Sequence, residues 1–237
     1  MAFRHTPYHM LIEALGQDGC PICTLVHEEV LHYLHMLLHE HVNDLDVRAE
    51  LRQVGGFCNT HGWWLHTRVQ GGALGATIMY RDVLNSARTR IEQIATSGGT
   101  VLNTPRRRRG LGPFAAGPLA QVDPHTGCPA CQVRARGEET FVGTLIANAT
   151  DERFLDRYER SAGVCLIHLD QVLVTVRDVA SVRRLLQKQA GIMQRLIGEL
   201  DEFQRKSDYR FHGEPIDAEA DAWLRAIELI DGKEGAR

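Results

Sequence analysis

The pentapeptide GCPIC at 19–23 returns at 127–131 as GCPAC, and GFCNTH at 56–61 returns at 163–168 as GVCLIH. Order and spacing are kept to within one residue, with 34 residues between Cys23 and Cys58 and 33 between Cys131 and Cys165. The stretches between the motifs have diverged almost everywhere else. The chain therefore reads as a tandem duplication in which the cysteines, one histidine per half and a glycine before each motif survived.

A C-x-x-C followed by a C-x-x-H supplies four soft or borderline donors as two short-range pairs, the set that closes a tetrahedral zinc site. Grouped within each half, Cys20, Cys23, Cys58 and His61 form a first site, and Cys128, Cys131, Cys165 and His168 a second. All six cysteines are used. Each pair sits where a helix is expected to begin, so backbone N–H groups and the helix dipole favour thiolate over thiol. Pro21 and Pro129 suit the first turn of those helices. Two zinc ions are the expected cofactors. Three thiolates and an imidazole also suit an iron–sulfur cluster, which is the alternative.

With four protein ligands, zinc has no open position for water or substrate, so catalysis at such a site is not expected. A thioredoxin-type dithiol would need a single C-x-x-C in a βαβ setting, and no segment shows the alternation of a strand. No nucleophile elbow, phosphate-binding glycine loop, dinucleotide fingerprint or paired-carboxylate signature is present; QGGALG at 70–75 has no strand before it.

Hydrophobic residues make up 43% of the 237, enough to fill a core without disulfide staples. The net charge of −3 gives no long-range pull on phosphate backbones or acidic membranes. The opening MAFRHTPYHMLIEALG lacks the apolar core and small-residue cleavage site of a secretory signal, and no run of about 18 apolar residues occurs. A cytoplasmic protein with no membrane contact is expected, in a reducing compartment where cysteines hold metal rather than disulfides.

The periodicity is helical throughout. From Pro21, the residues Ile22, Val26, Val30, Tyr33, Leu34, Leu37 and Leu38 share one side of a helix. Asp44 opens a second helix that Gly55 and Gly56 stop, and Thr150 and Asp151 open its counterpart, closed by Gly163. Long helical stretches follow each C-x-x-H, at 63–96 with a break at Gly71 and Gly72, and at 166–207. The fold expected is all-α: a first helical repeat at 1–96, a Gly/Pro/Arg-rich linker at 97–125, a second repeat at 126–212, and a tail at 213–237. That tail reads as a loop and a short helix with Trp223, Ile227 and Ile230 facing inward.

Other features weigh less. His32, His35 and His39 cluster with Glu28 opposite the apolar arc and could form a weak extra metal site, although the second half has no equivalent and a solvated face explains them as well. Glu29 and His32 make one Glu-x-x-His where a di-iron bundle needs two. Arg106, Arg107, Arg108 and Arg109 could contact nucleic acid or a partner through charge, but flanking glycine and proline suit simple solvation. Of Trp63 and Trp64, one is expected in the core and one exposed. His66 rivals His61 as a ligand, but the repeat selects His61; His5 and His125 have no counterparts.

GCPIC…GFCNTH, GCPAC…GVCLIH, RKSDYRF at 205–211 and WLRAIELI at 223–230 together resemble an uncharacterised bacterial family defined only as a domain of unknown function. The resemblance covers most of the chain. It implies bacterial origin and a helical fold, with no activity and no catalytic residues to carry over. The expectation is a non-catalytic, structural-zinc helical protein that acts as a binding or regulatory module, through a protein partner or self-association. An iron–sulfur carrier, or a thiol sensor in which oxidation ejects zinc and forms Cys20–Cys23 or Cys128–Cys131 disulfides, is the alternative.

Overall fold

The computed structural model describes residues 6–96, 127–211 and 213–235; the stretch 97–125 with Arg106–Arg109 and His125, and also His5, lie outside the described residues. Among the described residues the regular structure is entirely helical, and no helix is long and apolar enough to cross a membrane.

The first half carries α1 (Pro7–Ala14), α2 (Pro21–His39), α3 (Leu45–Val54), α4 (Asn59–Thr67) and α5 (Ala73–Thr96). The second carries α6 (Pro129–Ala147), α7 (Glu152–Glu159), α8 (Leu166–Thr175), α9 (Arg183–Lys206) and α10 (Ala222–Asp231), with 3-10 turns at Val179–Val182 and Tyr209–Phe211. Helix α1 is signalled by Thr6, whose hydroxyl accepts the His9 N–H, and by Pro7 at the first helical position. Asp44 and Asp151 cap α3 and α7 alike, each carboxylate accepting two backbone N–H groups.

The break at Gly71 and Gly72 separates α4 from α5 as the sequence predicts. The stretch 166–207 is not one helix. The β-branched run Val174, Thr175, Val176 ends α8, and Asp178 then accepts the Ala180 N–H to start a 3-10 turn before α9.

Two compact units result, one of Met1–His27 with Arg136–Arg237, the other Glu28–Ala135. They do not follow the two sequence halves. In the first unit Leu11, Ile22, Phe141, Phe154, Leu155 and Leu185 are fully buried or nearly so, and α9 packs on α7 and α10. In the second, Val30, Leu34, Leu51, Trp64 and Met79 form the core, and α3 is tied to α5 by Arg48 and Arg52 on Asp82.

The tail departs from expectation. Trp223, Ile227 and Ile230 are 52%, 47% and 55% exposed, because α10 is held through buried Ala222 and through Arg225, which pairs with Glu199 and Asp221. Amphipathic periodicity shows that a helix has an apolar face and does not say what covers it.

Two candidate metal centres

All eight predicted ligands are buried and converge in two groups, with exchanged partners. Cys20 and Cys23 meet Cys165 and His168; Cys58 and His61 meet Cys128 and Cys131. The within-half grouping expected from the sequence is therefore corrected: each C-x-x-C is completed by the C-x-x-H of the other half. Helix lengths accord with the exchange. From Cys23 to the end of α2 the chain travels about 24 Å at 1.5 Å per residue, and ten-residue α3 returns only about 15 Å of it. The second half has the same mismatch between α6, of 19 residues, and α7, of eight.

Each group centres on an imidazole Nδ1. That of His168 lies 3.4, 3.5 and 3.2 Å from the sulfurs of Cys20, Cys23 and Cys165. That of His61 lies 3.2, 3.6 and 3.4 Å from those of Cys58, Cys128 and Cys131. Sulfurs of Cys23 and Cys165 are 3.7 Å apart, as are those of Cys58 and Cys131. A tetrahedron built on Zn–S of about 2.3 Å and Zn–N of about 2.05 Å has S···S edges of about 3.8 Å and S···N edges of about 3.6 Å. The donor sets fit a single tetrahedral ion, and all six cysteines are free thiols rather than disulfides.

The proton distribution points the same way. Three sulfurs in contact cannot all be charged. Hydrogen bonds from Cys128 and Cys131 hold the Cys58 thiol down to about 2, while bonds with Cys128 and Cys58 push Cys131 up. In the other group, hydrogen bonds from Cys20 and Cys23 hold Cys165 far below the usual thiol range, and burial pushes Cys20 up. Burial lowers His168, but hydrogen bonds and charge from Cys165 and Cys23 outweigh it and raise the imidazole to about 9. In each cluster one sulfur, that of Cys58 or Cys165, is thus held as the thiolate that a metal ion requires.

Cys58 and Cys165 are also the N-cap residues of α4 and α8, neither using its sulfur for a side-chain cap. The other imidazole nitrogens are buried without a hydrogen bond among the described residues, that of His168 with a Glu138 oxygen 3.9 Å away. Gln171 donates to the other oxygen of Glu138 at 3.1 Å. A ligating imidazole turns its second nitrogen to such a carboxylate. The His61 and Trp64 rings instead stand nearly perpendicular, with centroids 5.2 Å apart.

The sequence reading missed Gln189. Fully buried on α9, it accepts the Val164 N–H and the Tyr158 hydroxyl and donates to the Val164 carbonyl, gripping the residue before Cys165. Gly163 beside it sits at φ +74°, and an added Cβ would lie 2.6 Å from the Gln189 amide oxygen. The available signal was a glutamine on the apolar stripe Leu185, Ile192, Leu196.

His32, His35 and His39 are exposed, and among the described residues their nitrogens join no group close enough to share an ion. The His35 and His39 ring centroids are 4.4 Å apart with the planes tilted by 35°, and His39 Nε2 lies 3.2 Å from the Gln70 carbonyl. His66 is exposed and belongs to neither centre. Trp64 is buried and Trp63 is 61% exposed.

A bacterial relative described as an uncharacterized 23.9 kDa protein in the xynA 3' region of Caldicellulosiruptor sp. (strain Rt8B.4) is 25% identical over 224 residues, covering 94% of this chain and 99% of its own. No solved structure matches the chain. The model of a family of unknown function (DUF6062) matches residues 11–237, and the chain belongs to that family.

Proposed function

We propose that this is a non-catalytic, cytoplasmic zinc protein. Cys20, Cys23, Cys165 and His168 hold one ion, Cys58, His61, Cys128 and Cys131 hold a second, and the pinned helices serve as a binding or regulatory module. The observation that carries this reading is the convergence of four buried donors, all within 4.8 Å of one another, at each centre. Zinc closes such a site with four protein ligands and leaves no position for substrate. Because its ligands gather only in the folded chain, its binding energy, about 10 to 16 kcal/mol in zinc-finger peptides, becomes folding energy.

The spacing favours this over an iron–sulfur cluster, in which thiolates bind different irons and are held apart by the bridging sulfides. Elemental analysis with an absorption spectrum tests it. Two zinc equivalents in a colourless protein support the proposal; a brown protein with visible absorption after anaerobic purification, or less than one equivalent of any transition metal, contradicts it.

A further inference from the structure

The two centres are alike in their donors and unequal in what holds the donors. The repeat fixes the equivalent positions. Seven residues after the second cysteine of each C-x-x-C stand Val30 and Glu138, and three after each ligand histidine stand Trp64 and Gln171. One before the cysteine of each C-x-x-H stand Phe57 and Val164.

At the His168 centre every one of these positions is braced. Glu138 places an oxygen 3.9 Å from His168 Nε2, and Gln171 donates to the other Glu138 oxygen at 3.1 Å. Gln189 holds the Val164 N–H and carbonyl, each at 3.1 Å. When Nδ1 ligates a metal, Nε2 carries the proton, and a carboxylate facing it fixes the ring and makes the ligand more basic.

At the His61 centre the same supports are replaced. Val30 and Trp64 lie in the core with Cys58 and bring no carboxylate or amide oxygen. His61 Nε2 is buried and has no hydrogen bond among the described residues, so the proton it must carry as a ligand is left without a partner, at a cost to binding. Among the described residues no side chain hydrogen-bonds to Phe57. Groups that orient a ligand from behind are worth about 10- to 100-fold in metal affinity. Cys58, Cys128 and Cys131 are themselves core residues, packed in one cluster with Val30, Leu34 and Trp64, so release of their ion loosens the core of the unit Glu28–Ala135.

Resting on the zinc reading above, we propose that the His61 centre is an exchangeable, regulatory site through which the supply of free zinc sets how firmly the unit Glu28–Ala135 is folded. The His168 centre keeps its ion, with Glu138 as the positioning residue for His168.

A chelator challenge of the two-zinc full chain, followed over time by N-ethylmaleimide labelling and peptide mass spectrometry, reads each centre through its own cysteines. Cys58, Cys128 and Cys131 should be labelled at least about tenfold faster than Cys20, Cys23 and Cys165. Glu138→Gln keeps the shape and removes the charge. It should speed labelling of the slow group about tenfold under chelator, and leave unchanged both the fast group and all labelling without chelator. Equal rates for the two groups, the reverse order, or a slow group unmoved by Glu138→Gln would overturn the proposal. Faster labelling of that variant without chelator would assign Glu138 to folding and overturn its role at His168. Zinc content measured beforehand separates the two readings: two equivalents with equal labelling refute only the division between the centres, and less than one equivalent refutes both.

Discussion

Replacing Gln189 with alanine strands three buried groups at once: the Tyr158 hydroxyl, the Val164 N–H and the Val164 carbonyl. Tyr158 and Val164 are completely buried and Gln189 is 1% exposed, so water cannot reach these groups without entering the hole the amide leaves. At about 1 to 3 kcal/mol for each unsatisfied buried group, with part recovered if water enters, the loss should be about 4 kcal/mol. That is a large share of the 5 to 15 kcal/mol that holds typical domains folded. Gln189→Met keeps most of the volume and none of the hydrogen bonds, and should lose nearly as much. Urea unfolding of the zinc-loaded protein by circular dichroism gives the magnitude. Chelator-driven zinc release gives the location: Val164 precedes Cys165, so one equivalent should leave faster while the other keeps its wild-type rate. A loss below about 1 kcal/mol for Gln189→Ala, or equal acceleration of both ions, would refute the claim that this amide fixes the Cys165 knuckle.

His61→Ala should lose one zinc equivalent while His66→Ala loses none, measured by elemental analysis, because His61, unlike His66, places a nitrogen among three sulfurs. Gly75→Ala should destabilise the protein by about 2 kcal/mol or more in urea, since a Cβ there would lie 2.2 Å from the Leu38 carbonyl oxygen, a backbone atom with little room to move. Acidification should release zinc, because protons compete for thiolate and imidazole alike; dialysis at falling pH should show retention at neutrality and loss in acid, and retention down to pH 3 would contradict thiolate ligation.

The duplicated motifs made all eight donors legible, because ligand chemistry restricts residue type and spacing more tightly than packing does. Their partnership was not legible from the motifs, since a repeat shows which residues are equivalent and is silent on which copies meet. The lengths of α2 and α3 held part of the answer: a 19-residue helix carries the chain away from its first knuckle farther than a ten-residue helix brings it back. Helix starts at Asp44 and Asp151 could be read because capping is local. The outward face of α10 could not, because it depends on how Arg225 and Ala222 dock the helix. Gln189 was hidden for a related reason, as a buried amide earns its place through backbone groups distant in sequence.

The exchanged partnership is tested most directly by zinc stoichiometry in two double variants. Cys20→Ser with His168→Ala removes two ligands from one centre, and Cys20→Ser with His61→Ala removes one from each. The account predicts that the first pair retains one zinc per chain and the second retains none bound tightly. The opposite outcome, with the second pair keeping one zinc and the first keeping none, would show that each half closes its own site.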